Sequence, residues 1–465
     1  MKNSVETGSF RDRRGRVYHV NGEIIRCLDK IAYENWIRFS NTKLYRRLQA
    51  DGKIVDTEEV PTDKLSKKIV MDRWAGALRH ESIPFISYPY EWSFDQLKDA
   101  ALFHLNLMKA ALEEGFVLKD SSAYNIQWRG SKPVFIDIPS FEPLAPGEPW
   151  VGYLQFCEMF LNPLLLSAHK GIRFQPWMRG RLDGIETQQL ANLLSFRDLF
   201  RKGIFTHIYL HSKLQKSSQS RGVTKAALQK AGFSKEMILS NVRSLERIIE
   251  RLELGSDKSQ WVDYAQTHSY REDDYQAKKA FVKKVISERN WRLTWDLGCN
   301  TGDFSRIAAN SGSYVVALDA DDLAVNTLFN QSKSENDDRI LPLIMNLVDP
   351  STALGWRGQE RQSLENRNRP DLVLALALIH HLVIGANVLL SDFVGWLAGL
   401  NASLIIEFIS KQDEMVSILL QNKEDLYTDY SKENLESCLN NVFDIQRKIS
   451  LKEGLRTLYY AIPKK

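Results

Sequence analysis

Asp296-Leu297-Gly298-Cys299-Asn300-Thr301-Gly302 combines an acid, two glycines and small turn residues between two patterned segments. The run Trp291 to Trp295 before it can form a strand, and Phe304-Ser305-Arg306-Ile307-Ala308-Ala309 after it has helical spacing. A junction of this kind lets backbone approach a ligand closely and aims helix N–H groups at it. The next apolar run, Tyr314 to Leu318, ends in Asp319. An acid at the end of the second strand of an open α/β sheet is placed to hold ribose hydroxyls. Farther on, Leu341 to Met345 ends in Asn346, Asp371 to Ala375 leads toward His380-His381, and Leu404 to Phe408 carries Glu407. One of the two histidines could serve as a general base, having an intrinsic pKa near neutrality; packing within the turn is the alternative. A second set lies upstream, where Asp120 precedes Asn125 by a short turn and Asp137 follows inside an apolar run. Phosphoryl transfer needs one carboxylate near the incoming hydroxyl and an Asn/Asp pair able to hold magnesium on the phosphates. A polar turn with the same residues is the other reading.

The elements that must position these residues fall into two modules. Residues 274–465 alternate helix and strand: a helix at Tyr275–Arg289, then strands at 292–296, 314–319, 340–345, 371–376 and 403–409. Such alternation argues for a mostly parallel sheet covered on both faces, and the last candidates, Val442–Ile445 and Arg456–Ala461, suit an antiparallel end. Residues 1–250 form the other module. It opens with a hairpin, Arg16–Val20 and Glu23–Leu28, about Asn21-Gly22. A helix follows at Tyr33–Leu48, and another at Phe94–Glu114 with Leu97, Ala101, Leu105, Met108 and Leu112 on one face. Short extended pieces occupy 116–141, with helical segments at Tyr153–Leu166 and Thr187–Phe200. Ser212–Arg221 reads as a loop, Ser234 as the cap of the next helix, and 251–273 as the polar linker.

The Asp296–Gly302 stretch together with Asp319 resembles motifs I and II of class I S-adenosylmethionine (SAM) methyltransferases, usually worded D-L-G-C-G-T-G. Asn300 replaces the middle glycine, and Asn tolerates positive φ better than most residues. The resemblance implies that Asp296 and Gly298 line the methionine part of SAM, that Asn300 and Gly302 form the turn, and that Asp319 takes the ribose hydroxyls. Asp321 or Asn346 would approach the adenine edge. Leu378-Ile379-His380-His381-Leu382 is similar to the V-L-H-H-L wording common after the fourth strand; ligands bind outside the strand ends of such a sheet, so His380, His381 and Glu407 are expected near the methyl group. A dehydrogenase-type turn is the rival, although the glycines lack G-x-G-x-x-G order.

The Asp120–Asp137 stretch resembles the catalytic and metal-binding loops of kinase-like folds. That implies Asp120 as base, Asn125 and Asp137 as magnesium ligands, and ATP as the nucleotide. It departs at Leu118-Lys119 and Ile138-Pro139, and the lysines available for the phosphates are Lys43, Lys53, Lys67 and Lys68. The whole chain, including Tyr88-Pro89-Tyr90-Glu91-Trp92-Ser93 and Gly147-Glu148-Pro149-Trp150, resembles a bacterial family in which a kinase-like region precedes a SAM methyltransferase. Some members of that family are host-specific nodulation proteins. The expectation is therefore an α/β protein with a C-terminal seven-stranded Rossmann-like methyltransferase sheet and an N-terminal α+β kinase-like module. Its expected activity is SAM-dependent methyl transfer to an unidentified acceptor, a glycan or small molecule. The rivals are a phosphotransferase with a SAM-sensing domain and a non-catalytic pseudokinase scaffold.

Composition sets the remaining bounds. With 62 basic and 58 acidic residues in 465, the net charge of +4 carries no strong nucleic-acid signal. Four cysteines without metal spacing fit a reducing cytoplasm, and the Met1–Arg16 stretch has no apolar core of a signal peptide. Leu372 to Leu390 is the most apolar window, but His380, His381 and Asn387 interrupt it, so a buried strand running into a helix is expected rather than a membrane span.

Overall fold

The computed structural model describes residues 4–61, 74–201, 203–210, 232–255, 272–421, 423–451 and 454–464. The expected loop at Ser212–Arg221, most of the expected linker, and Lys67 and Lys68 lie outside the described residues. Strands β1 (Ser4–Val5), β2 (Gly15–Val20), β3 (Glu23–Leu28), β4 (Thr57–Val60) and β5 (Gly76–His80) form an antiparallel sheet in the order β1-β2-β3-β5-β4. The β2–β3 turn is Asn21-Gly22 with φ of 51° and 90°, the conformation whose twist matches the flanking strands. The single helix expected over 33–48 is two, Lys30–Ser40 and Lys43–Ala50. Thr42 between them is extended, and its Oγ1 accepts the Tyr45 N–H at 3.0 Å, which starts a new helix.

Ser93 and Gln96 cap the long helix Phe94–Glu113 reciprocally, and Leu97, Ala101, Leu105, Met108 and Leu112 are its buried face. Strands β6 (Phe116–Leu118), β7 (Ile126–Arg129), β8 (Lys132–Phe135) and β9 (Phe141–Pro143) then pair as β6-β9 and β7-β8. Helical segments run from Tyr153 to Lys170, and Ser234 caps the helix Lys235–Glu250.

The second half holds β10 (Leu293–Leu297), β11 (Tyr314–Asp319), β12 (Ile340–Ile344), β13 (Leu372–Ala375), β14 (Ser403–Ile409), β15 (Phe443–Leu451) and β16 (Arg456–Pro463). They make a seven-stranded sheet in the order β12-β11-β10-β13-β14-β16-β15. The first five run parallel; β16 lies antiparallel between β14 and β15. The strand order reverses between β10 and β13, so the crevice beyond their carboxyl ends is where such a sheet binds ligands. β10, β12, β13 and β14 are buried along their whole length, as strands covered on both faces must be. β15 extends well past the expected Ile445 because it is an edge strand whose side chains alternate outward. No helix among the described residues is long and apolar enough to cross a membrane, and all four cysteines carry free thiols.

One apolar core takes in side chains of both halves, from Leu28 and Trp36 to Trp295 and Leu318. Phe85 meets Trp295 edge-on at 6.0 Å between centroids, and Trp128 meets Phe329 at 5.5 Å. The Tyr88–Ser93 stretch is the joint. Arg367 donates two hydrogen bonds to Glu91, at 2.8 and 2.6 Å, with both side chains 1% exposed. Ser351 Oγ donates to the same carboxylate at 2.6 Å, as does the Tyr88 N–H at 2.9 Å. The Arg367 guanidinium lies 5.0 and 4.9 Å from the Phe85 and Tyr88 ring centroids. Breaking a buried pair of this kind costs about 3–5 kcal/mol because the remaining charge is left uncompensated. At Gly130 the approach is closer still: a Cβ there would sit 2.3 Å from the Asp338 carbonyl carbon.

Candidate functional site

β10 delivers Asp296 to the crevice, and the chain then turns through 298–302 into the helix Asp303–Asn310. Gly298, Asn300 and Gly302 hold φ of 74°, 48° and 85°. At Gly302 a Cβ would also lie 2.5 Å from Leu328 Cδ1, so conformation and packing both demand glycine. The Gly298 and Cys299 N–H groups donate to the Leu318 carbonyl at 2.8 and 3.1 Å, which fastens the turn to the end of β11. Asp319 completes the attachment. Its Oδ2 accepts the Asn300 N–H at 2.8 Å and its Oδ1 the Asp321 N–H at 2.9 Å. The carboxylate offers about four lone-pair sites, so capacity for a ligand hydroxyl remains. Burial raises the Asp319 carboxyl above its usual range, against the pull of these N–H groups.

Asp296 is 2% exposed and accepts a hydrogen bond from Ser305 Oγ at 2.6 Å. Burial pushes its pKa up to about 6, opposed by Ser305. Asp321 caps the helix Asp322–Ser334, its Oδ1 accepting the Leu323 and Ala324 N–H groups at 2.9 and 3.2 Å. Asn346 follows β12, and its Oδ1 accepts the Val348 N–H at 3.1 Å.

On the other side of the reversal, Ala377 adopts φ of 51°, an unfavourable conformation for a residue with a Cβ. Its N–H is held by Glu407 Oε2 at 2.9 Å. The same oxygen accepts from Lys278 Nζ at 2.7 Å, with the two side chains 3% and 0% exposed. Glu407, expected on the open acceptor side, is therefore a buried counter-ion that positions backbone. Arg456 lies 4.0 Å from Glu407 and pairs with Asp413 at 2.8 Å, continuing the buried network. His380 is 1% exposed, and neither ring nitrogen has a hydrogen-bond partner among the described residues. Burial, then His381 and Arg456, hold it well below the usual histidine range. His381 is half-buried, its ring centroid 4.1 Å from that of His380, and burial lowers it to about 4. Both rings are neutral at pH 7.

Lys278, Ser305, Asp413 and Arg456 were not singled out in the sequence. The signal for Lys278 was available: it stands on the apolar face formed by Phe281, Val282 and Val285, where a lysine needs a buried acid.

In the N-terminal half, the structure brings Asp120, Asn125 and Asp137 together. Burial and the neighbouring Asp137 raise the Asp120 carboxyl, while the Asn125 side chain and the Ser122 N–H oppose them. Arg26 of β3 forms an ion pair with Asp137. Asp137 is one of the two side chains that the resemblance implies as magnesium ligands. Among the described residues no group of three His, Cys, Asp or Glu side chains is arranged to hold a metal ion. Open cavities of about 410 Å³ beside Asn336 and Asp338, and about 580 Å³ beside Glu236 and Arg243, lie away from both sets.

No family model matches the chain. Among solved structures, it is similar to the Synechocystis PCC 6803 magnesium protoporphyrin IX methyltransferase ChlM with bound SAH, with 16% identity, 45% of this chain, 90% of that chain and a TM-score of 0.31. It is also similar to the N-methyltransferase NodS of Bradyrhizobium japonicum WM9, with 10% identity, 42% of this chain, 98% of that chain and a TM-score of 0.31. A curated relative, the nodulation protein NoeA of Rhizobium meliloti (strain 1021), is 37% identical over 456 residues, 97% of this chain and 94% of the relative. At that identity over nearly the full length of both, the chain belongs to the family of nodulation protein NoeA.

Proposed function

We propose that this protein binds SAM in the crevice between β10 and β13 and directs methyl transfer to an acceptor, a glycan or small molecule. The observation that carries this reading is the loop of residues 298–302, tied to Asp319 and Leu318 where the strand order reverses. Bound SAM supplies a methyl group on a positively charged sulfur. The residues present fit it: Gly298 and Gly302 hold the positive-φ turn that brings backbone to the crevice, Asp319 retains acceptor capacity for ribose hydroxyls, and buried Asp296 suits the ammonium of the methionine end. Asn346 or Asp321 meets the adenine edge. His381, neutral and half-buried, is the residue to take a proton from the acceptor, with His380 beside it. Lys278 and Glu407 hold the Ala377 turn that presents them.

We infer that the N-terminal half is a kinase-like scaffold. Its support is the antiparallel sheet, the long helix and the meeting of Asp120, Asn125 and Asp137. Arg26 in ion pair with Asp137 favours a scaffold over magnesium-dependent ATP turnover.

The test is calorimetric titration of the full chain with S-adenosylhomocysteine (SAH). Wild type should bind, and Asp319→Ala should lose affinity by roughly 1.5–3 kcal/mol, the worth of a charge-assisted hydrogen bond. Wild type that binds neither SAM nor SAH would end the reading.

A further inference from the structure

We propose that Arg173 and Arg179, both from the N-terminal half, are positioning residues for the adenosine end of the SAM site; this rests on the reading above. Arg173 Nη2 donates to the Ala320 carbonyl at 3.3 Å, and its Nε lies 3.2 Å from Asp322 Oδ2. It therefore clasps the turn that carries Asp319 and Asp321. Arg179 grips the turn after β12. Its Nη1 donates to the carbonyl and Oδ2 of Asp349 at 3.0 and 2.9 Å, and its Nη2 donates to Asp349 Oδ1 and the Pro350 carbonyl, both at 2.9 Å. Asn346 opens that turn, its carbonyl accepting the Asp349 N–H at 3.0 Å. Arg173 precedes one short helix, Gln175–Gly180, and Arg179 stands in its last turn; Gln175 anchors that helix by donating to the Trp92 carbonyl at 2.9 Å.

One element of the N-terminal half thus holds both turns between which adenosine would lie. Each contact is partly exposed and worth little to stability by itself. Their effect is to keep two turns in one mutual arrangement before the ligand arrives. If the turns without them hold that arrangement about one-tenth of the time, apparent affinity falls about tenfold.

The experiment is calorimetric titration of the full chain with SAH and with free adenosine. The double variant Arg173→Ala/Arg179→Ala should bind SAH about tenfold more weakly, and adenosine should lose the same factor because only its end of the site is affected. The exchanged pair Arg179→Asp/Asp349→Arg should recover affinity relative to Arg179→Asp alone. Wild type that binds SAH while the double variant binds it within about twofold would overturn this inference and leave the site reading standing. Loss of SAH affinity with adenosine unaffected, or an exchanged pair no better than Arg179→Asp, would also overturn it. Wild type that binds no SAH would overturn the site reading and this inference with it.

Discussion

Asp296→Asn should stabilise the ligand-free protein while weakening SAM binding, and the size of the effect follows from its burial. The carboxyl titrates at about 6 in the folded chain against an ordinary 3.8. Because the folded value is raised, the unfolded chain gives up this proton first, and stability is lost as pH rises from about 4 to about 6. Above pH 6 the cost is complete and amounts to about 3 kcal/mol at 1.36 kcal/mol per pKa unit. Asn carries no charge, keeps the shape, and can exchange hydrogen bonds with Ser305, so the variant escapes the penalty. Unfolding entropy of about 2.1 cal/mol/K per residue gives about 1 kcal/mol/K for a chain of this length, so the gain in Tm is about 3 °C at pH 7.5. Near pH 4 both proteins hold an uncharged group there and should melt alike. Paired thermal melts at the two pH values make the assay, with SAH titration beside them. A Tm difference that is independent of pH, or a variant less stable at pH 7.5, would refute the assignment of a buried, strained charge to Asp296.

Gly302→Ala forces a Cβ to within 2.5 Å of Leu328 Cδ1 at φ of 85°, so it should lower Tm by several degrees and abolish SAH binding in calorimetry. His381→Ala should reduce kcat while SAH affinity stays within about twofold, the pattern of a group that acts only in the chemical step. Since burial lowers His381 to about 4, its loss of basicity should fall near that pH, and the wild-type rate profile should lack a histidine break near 6.5. Glu91→Gln leaves Arg367 buried without its counter-ion and should destabilise the whole chain by about 3–5 kcal/mol in denaturant unfolding, although it lies outside the crevice.

The strand–turn–helix around Asp296 was legible because every feature it needs is local: an acid, φ-tolerant residues and a periodic flank within a few positions. The same holds for the Asn21-Gly22 hairpin and the Ser234 cap. Glu407 was misplaced because a carboxylate near a strand end reads alike whether it faces a crevice or a buried lysine. Its partner Lys278 belongs to a helix far earlier in the chain, and that pairing is made only by the sheet. The Tyr88–Ser93 stretch had no physical account in the sequence for the same reason: Glu91 finds Arg367 and Ser351 from the other half. The break at Thr42 inside an otherwise periodic run was hidden because its apolar spacing continues across the two helices.

Glu91 bound to Arg367, and Gly130 against Asp338, bear on how such a chain can change over generations. A chimera whose second half lacked an arginine at position 367 would set the Glu91 carboxylate into a dry interface without its counterpart. Its aromatic neighbours would meet unfamiliar contours as well. A substitution on one face of the joint therefore calls for a compensating one on the other. The two halves depend on each other through this joint even though their sheets are separate.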